Sequence, residues 1–246
     1  MACRAGCAYG DLRVTSEFIY FVHQVAAGDM TGVERSLVQS PALATASEAI
    51  GATRQESETF FLSDIAHYLY AGDTALHMAA AAFQRPVATL LVAHGADCRA
   101  KNRRGAEPLH YAADANRWNP AAQAETIAYL ISIGADTNSL DRSGVSPLHR
   151  AVRTRSFAAV QALIDGGADV RRPNKAGSTP LHLAIQTTGR GGSGSAQARE
   201  QQAVIVRFLL TRGALLSDRD RQGKDVRQAA RSEWARALLR EAVENR

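Results

Sequence analysis

The sequence predicts an all-α solenoid of stacked helix pairs, and a regular repeat along the chain is the main reason. The pattern Gly-x-x-Pro-Leu-His, with alanine in place of proline in its first copy, occurs four times. Its copies begin at Gly72, Gly105, Gly144 and Gly177. A Gly-Ala-Asp turn precedes three of these copies, and 15 residues separate its glycine from the next histidine each time. A repeat at a fixed interval is typical of a solenoid, in which each unit packs only on its neighbours.

Capping signals predict a helix pair in every unit. Serine or threonine is a good N-cap, and proline at the first helical position loses no hydrogen bond. The caps are Thr74, Ser146 and Thr179, and the prolines are Pro108, Pro147 and Pro180. The glycines at 95, 134, 167 and 213 each follow an apolar run and suit the left-handed end of a second helix. Because one pair cannot bury its apolar face alone, we expect the stack to be the stable unit.

The basic interval is 33 residues, extended by 6 near residues 116–120 and by 13 near residues 189–200. These motifs resemble the ankyrin-repeat family, in particular bacterial-type members, whose units combine a Thr-Pro-Leu-His opening, two antiparallel helices and projecting turn or hairpin fingers. The resemblance implies four repeats and a polar C-terminal cap, in which Gln228 replaces the histidine. The expected bounds are 72–104, 105–143, 144–176, 177–222 and 223–246, which together make one domain over 72–246.

The first 71 residues depart from the repeat. Residues 1–16 show no periodicity, and we expect a flexible tail there. Residues 17–71 are predicted to form a degenerate N-terminal capping repeat with an inserted, aromatic-rich helical element at 55–70. Eight of the fifteen aromatic residues of the chain precede residue 71. Two interpretations stay open: the element seals the open end of the stack, or it docks a partner.

Composition excludes several classes of protein. With 46% hydrophobic residues, the chain has enough apolar material for a core. Three scattered cysteines suit neither a disulfide framework nor a zinc site, and no secretory signal or run of 18 apolar residues occurs. We therefore expect a cytoplasmic monomer without a membrane segment. The net charge of +5 is uneven, because residues 1–96 carry −4 and residues 97–246 carry +9.

Two patterns could suggest chemistry, but neither predicts an enzyme. The four motif histidines recur once per unit, roughly 10 Å apart, which is too far for one metal ion. The resemblance implies that they hydrogen-bond between neighbouring repeats. The Gly-x-Gly-x-x-Gly at 189–194 lacks the strand and helix of a nucleotide site, so residues 189–195 form either a flexible loop or an anion-binding nest beside Arg190. No side chain has a catalytic partner at a fixed spacing, and we expect no catalytic residue, metal or cofactor.

The resemblance implies a concave binding groove, formed by the fingers and the exposed side of each first helix. The candidate residues are Lys101, Arg103, Arg104, Leu140, Arg142, Lys175, Arg219 and Arg221 on fingers, Arg153 on a helix, and Arg117, Trp118 and Arg190 on the two loop insertions. Trp118 is either a hot-spot anchor or packs on its own loop. These mostly cationic positions predict a protein-interaction module or scaffold for an acidic or mixed-charge partner protein. Nucleic-acid or polyanion binding by the same cations is the alternative.

Overall fold

The computed structural model describes residues 8–55, 57–114, 119–186 and 195–244, which form two rows of stacked helices. The inner row contains α1 Ala8–Ala27, α3 Ala75–Ala81, α5 Pro108–Ala112, α7 Pro147–Thr154, α9 Pro180–Ala184 and α11 Val226–Ala229. The outer row contains α2 Met30–Gln39, α4 Arg85–Ala93, α6 Pro120–Ser132, α8 Phe157–Asp165, α10 Ala196–Thr211 and α12 Glu233–Glu244. Each helix contacts the next helix of its own row, which confirms the predicted solenoid of helix pairs.

The motif histidines tie neighbouring repeats together. In each motif the ring Nδ1 accepts the backbone N–H of the N-cap residue, so the ring proton lies on Nε2. His77, His110 and His149 each donate this Nε2–H to a carbonyl of the next repeat at 3.1 Å, and His182 does so at 3.4 Å. The expected bond between repeats is confirmed. In the last repeat the side-chain oxygen of Gln228 accepts the N-cap N–H in the same way.

The turns between helix pairs form the fingers, whose tips are residues 102–105, 141–144, 174–177 and 220–223. Each tip begins with Asn or Asp, whose Oδ1 accepts the N–H groups two and four residues later. This side-chain bonding fixes the turn and explains the residue type at that position. Interspersed acidic residues such as Asp141 and Asp220 therefore have a structural role at the tips.

Backbone hydrogen bonds join each fingertip to the next. Arg142 N–H donates to the carbonyl of Arg104 at 2.8 Å, and equivalent bonds connect the other tips. The approach is close at Gly105, where a Cβ would lie 3.1 Å from the Arg142 nitrogen and where φ is +73°. A left-handed backbone in that space favours glycine, which accounts for the first residue of the motif. The fingers are thus a continuous row, and their side chains stand in a fixed order along the groove.

The N-terminal region differs from the sequence-based expectation in two ways. Helix α1 begins at Ala8, inside the expected tail over 1–16. No proline interrupts Ala8–Ala27, and its one glycine, Gly10, lies in the first turn, where it costs least. The element at 55–70 was expected to be helical, and this is wrong. It forms a two-stranded antiparallel hairpin, β1 Phe61–Leu62 and β2 His67–Tyr68, with single 3-10 turns at Glu58–Phe60 and Ser63–Ile65.

Burial that alternates along the chain explains the hairpin. Phe60, Leu62 and Leu69 are buried, whereas Phe61 and Tyr68 are exposed on the other side. A period of two places one face on the core, as a strand requires and a helix does not. The segment also pairs with the chain before it, since Ala52 N–H donates to the Leu69 carbonyl. We call residues 47–55 and 57–70 the inserted segment.

The last helix pair closes the described part of the stack. Leu238 and Leu239 of α12 are buried, and the opposite side of the helix exposes arginine and glutamate. Arg240 pairs with Glu233 at 2.9 Å on that exposed side. No helix in the described part of the chain combines the length and apolarity needed to cross a membrane.

Candidate protein-binding groove

The inserted segment, two fingers and two inner helices enclose a cavity of about 610 Å³, which we call the N-terminal cavity. Its side chains come from three places and are mostly aromatic or charged. The inserted segment contributes His67, Tyr68 and Tyr70. The fingers contribute Arg103, Arg104, Asp141 and Arg142. Helices α5 and α7 contribute Tyr111, Arg150 and Arg153, and Asp114 lies two residues after the end of α5. The structure therefore brings four predicted binding residues together, namely Arg103, Arg104, Arg142 and Arg153.

The finger arginines are held in place by the inserted segment. The guanidinium carbon of Arg104 lies 4.3 Å from the centre of the Tyr70 ring, and that of Arg103 lies 5.5 Å from it. The Arg103 Nη2 also donates to the carbonyl of Ala52. Among the described residues, no carboxylate forms an ion pair with Arg103, Arg104 or Arg142. We call these three charges uncompensated, because they face the cavity without an ion pair from the described residues.

The floor of the cavity contains an arginine that is already paired. Arg150 Nη1 lies 2.8 Å from Asp114 Oδ2, and its Nη2 lies 3.3 Å from Asp141 Oδ2. Burial disfavours the charge on Arg150, but the two carboxylates outweigh this effect and hold the pKa of Arg150 above its usual value. Asp114 also meets Arg153 at 3.8 Å. With five arginines and two aspartates, the lining keeps a net charge of +3.

A buried polar network supports the cavity from below. Asp73 is fully buried and accepts hydrogen bonds from Asn102 Nδ2 at 2.8 Å, Tyr111 OH at 2.9 Å and Tyr70 N–H at 2.6 Å. Asn102 Nδ2 also donates to Tyr111 OH at 2.8 Å. Burial, and then the Asp73 carboxylate, raise the pKa of Tyr111 well above its usual value, so Tyr111 stays a hydrogen-bond donor. The network joins the inserted segment to a finger and an inner helix.

His67 covers this network on the cavity side. Its ring lies 4.6 Å from the Tyr111 ring, and its Nδ1 is 2.7 Å from the Tyr68 carbonyl. Burial lowers the pKa of His67, which favours the neutral ring at neutral pH. We call the three cavity-lining rings of the inserted segment, His67, Tyr68 and Tyr70, the aromatic wall. The described residues contain no group of three or more His, Cys, Asp or Glu side chains that could hold a metal ion.

A second cavity of about 490 Å³ lies farther along the groove, between the last two fingers and α11. Arg221, Lys224 and Arg231 are its cationic lining residues, with Gln186 and Gln228 beside them. Of the predicted binding residues, Arg221 belongs to this cavity. The groove is therefore cationic at both of these cavities.

The remaining predicted residues that the structure describes do not line either cavity. Lys101 pairs with the buried Glu107 at 3.4 Å, Arg219 donates to the Gly223 carbonyl at 2.6 Å, Leu140 is half-buried and Lys175 is exposed. Arg117, Trp118 and Arg190, together with the loop at 189–194, lie outside the described residues. The predicted finger positions are thus only partly the positions that line the cavities.

Sequence reasoning missed the aromatic wall and Arg150. The wall was missed because the inserted segment belongs to no repeat, and because the three successive apolar residues Phe60–Leu62 do not show the alternating burial in the sequence. Arg150 follows the motif histidine, where the other repeats carry Met78, Tyr111 and Leu183. A charged residue at an otherwise hydrophobic position was the signal that could have found it.

Comparison with known families agrees with this architecture. Residues 55–138 and 118–220 match the family described as ankyrin repeats (3 copies). The matched residues cover more than half of the chain, and the chain belongs to the ankyrin-repeat family. No curated protein matches it. Ankyrin repeats are generally protein–protein interaction modules, and enzymatic activity is not typical of the family.

Proposed function

We propose that this chain is a non-catalytic interaction module that binds an acidic or mixed-charge partner protein through its groove. The observation that supports this most is the N-terminal cavity, where Arg103, Arg104 and Arg142 lack carboxylate partners among the described residues. Uncompensated cations on a concave surface attract an acidic surface and raise the rate of association. Aromatic residues and arginine are also the types that contribute most at protein interfaces. A cytoplasmic monomer that acts as a scaffold is part of the same proposal.

Reversing the three uncompensated charges is the direct test. The variant Arg103→Glu/Arg104→Glu/Arg142→Glu is expected to weaken binding of a partner captured from the native host by about 100-fold, because like charges then face each other. Affinity capture with mass spectrometry identifies the partner, and titration of the purified pair gives the affinity. Circular dichroism checks that the variant keeps its helices.

A matched control separates the groove from overall charge. Arg35, Arg207 and Arg240 are exposed on α2, α10 and α12, and none of them lines either cavity. Their reversal to glutamate changes the net charge by the same amount and removes only exposed ion pairs, which contribute little to stability. We expect this control variant to retain the partner. If both triple variants behave alike, or if the groove variant still binds, the groove is not the binding surface.

Nucleic-acid binding is the competing proposal, since the structure adds aromatic rings to the cationic fingers. The bases of a single-stranded nucleic acid bind a protein by stacking on aromatic rings whose faces are free. Here the Tyr70 ring is covered by two guanidiniums, and the Tyr68 ring packs on Phe61 at 4.8 Å. This arrangement favours a protein partner. An absorbance ratio at 260 and 280 nm of the purified protein, followed by DNA and RNA titrations at low salt, tests the competing proposal.

A further inference from the structure

The inserted segment changes the chemistry of one end of the groove. Along the rest of the finger row, the arginine and lysine side chains extend from turns with no inserted segment beside them. At the N-terminal cavity, Tyr70 lies against both Arg103 and Arg104, and the Ala52 carbonyl accepts from Arg103. Among the described fingers, only Arg103 and Arg104 have an aromatic ring beside their guanidiniums, and that ring belongs to a part of the chain that the repeat pattern does not require.

These contacts restrict the two arginines before any partner arrives. A free arginine loses several rotamers when it binds, and this entropy loss weakens the complex. A guanidinium that lies against a ring keeps its N–H edge available, because the ring contacts its flat face. Arg103 and Arg104 can therefore donate charge-assisted hydrogen bonds at a low entropic cost.

Tyr70 is itself fixed, so it can hold the arginines. Its N–H donates to the buried Asp73 carboxylate at 2.6 Å, and its backbone forms a bridge with Gly51. The hydrogen bond from the Arg142 N–H to the Arg104 carbonyl, at 2.8 Å, places Arg142 beside Arg104 on the neighbouring fingertip. The two carboxylates that line the cavity, Asp114 and Asp141, are paired with Arg150.

We infer that the N-terminal cavity is an anion subsite, built by the inserted segment, that takes carboxylate or phosphate groups from an acidic peptide segment of the partner. The net charge of its lining, the three uncompensated guanidiniums and the restricted position of two of them support this occupant. The inference rests on the proposed function and makes it more specific. Tyr70 is then a positioning residue, which acts on the ligand through Arg103 and Arg104.

Direct binding of short peptides tests the inference. The probes are three fluorescein-labelled ten-residue peptides that differ only in a central triplet of glutamate, phosphoserine or glutamine. The full chain is titrated against each peptide by fluorescence anisotropy at low and high salt. We expect the glutamate or phosphoserine peptide to bind and the glutamine peptide to bind much more weakly. If the phosphoserine peptide binds more tightly than the glutamate peptide, the natural ligand group is a phosphate. If these two peptides bind equally and the glutamine peptide binds more weakly, the natural ligand group is a carboxylate.

Variants of Tyr70 test the positioning role. Tyr70→Leu removes the ring and is expected to weaken binding of the anionic peptides about tenfold. Tyr70→Phe keeps the ring and should retain most of the affinity. Because the leucine variant also loses packing, Arg104→Gln provides a second test at an exposed side chain, with Arg35→Gln as its control. A purely structural role of Tyr70 would lower the melting temperature without narrowing the difference between anionic and neutral peptides.

The outcomes separate this inference from the proposed function. Equal binding of the three peptides, no binding of any peptide, or unchanged binding by both Tyr70→Leu and Arg104→Gln overturns the anion subsite. Stronger binding of single-stranded oligothymidylate than of either anionic peptide overturns it as well. If the peptides fail while charge reversal still abolishes the captured partner, the interaction module stands and only the subsite is rejected.

Discussion

Replacing Asp73 by alanine is expected to lower the free energy of unfolding by about 3 kcal/mol. The carboxylate is fully buried and accepts from Asn102, Tyr111 and the Tyr70 backbone, so alanine leaves buried donors without an acceptor. Unpaired buried donors cost more than the net gain from an ordinary hydrogen bond, because they have already lost their contact with water. Urea denaturation followed by circular dichroism measures the change.

Two further variants show that the network, and not the substitution alone, causes the loss. Asp64→Ala removes an exposed carboxylate from the inserted segment and should change the free energy of unfolding very little. Tyr111→Phe removes the hydroxyl that donates to Asp73. In the double variant, the loss of unfolding free energy should differ from the sum of the two single losses by about 1 kcal/mol or more, because the Tyr111 hydroxyl and the Asp73 carboxylate are in contact. Additive effects, or an Asp73→Ala variant as stable as the wild type, would contradict the network.

The same substitution connects the fold to the candidate subsite. Asp73 fixes the backbone of Tyr70, and Tyr70 contacts the guanidiniums of Arg103 and Arg104. A loss of order at Asp73 should therefore reach the groove even though Asp73 does not line it. Peptide affinity of Asp73→Ala, measured where the variant is folded, is expected to fall in parallel with that of Tyr70→Leu.

The repeating part of the fold was predictable because local signals and neighbour contacts agree there. The prolines at the first helical position, the N-caps and the left-handed glycines all fall where the helices begin and end. The bonds of the motif histidines were expected from the family resemblance, and the rings do bond to their own N-cap residue and to the next repeat. In a solenoid each unit sees nearly the same surroundings, so one correct assignment extends to the others.

The candidate site was less predictable because it depends on contacts between distant parts of the chain. Arg150 pairs with Asp114, which is 36 residues away in sequence, and Arg103 donates to Ala52, which is 51 residues away. No local pattern specifies such pairs. The inserted segment has no counterpart in the repeat, and its short strands pair within a region that lacks the usual turn signals of a hairpin. The tertiary packing of its alternate side chains decided its structure.

Acid is expected to destabilise the stack below about pH 6.5, the usual pKa of an unfolded histidine. Burial lowers the pKa of His77, His110 and His149, and that of His110 falls to about 3. The unfolded chain therefore binds more protons than the folded one between these values, so the free energy of unfolding decreases as pH falls. His110 alone should account for a loss of about 2 kcal/mol at pH 5, and its contribution is fully present above pH 6.5.

The physical reason is that protonation would place a charge in a buried site and break the hydrogen bond that Nδ1 accepts from its own N-cap residue. Nδ1 of His110 accepts the Glu107 N–H at 3.1 Å, and a proton on Nδ1 would face that donor. Gln228 accepts the equivalent N–H without a titratable ring, which makes His110→Gln the matched variant. Urea midpoints at pH 7.5, 6.5, 5.5 and 5.0 should fall less steeply for His110→Gln than for the wild type. The carboxylates titrate alike in both proteins, so they do not affect the comparison. If the urea midpoints of the two proteins fell equally with pH, His110 would be protonated in the folded stack, and the prediction of a neutral buried histidine would be wrong.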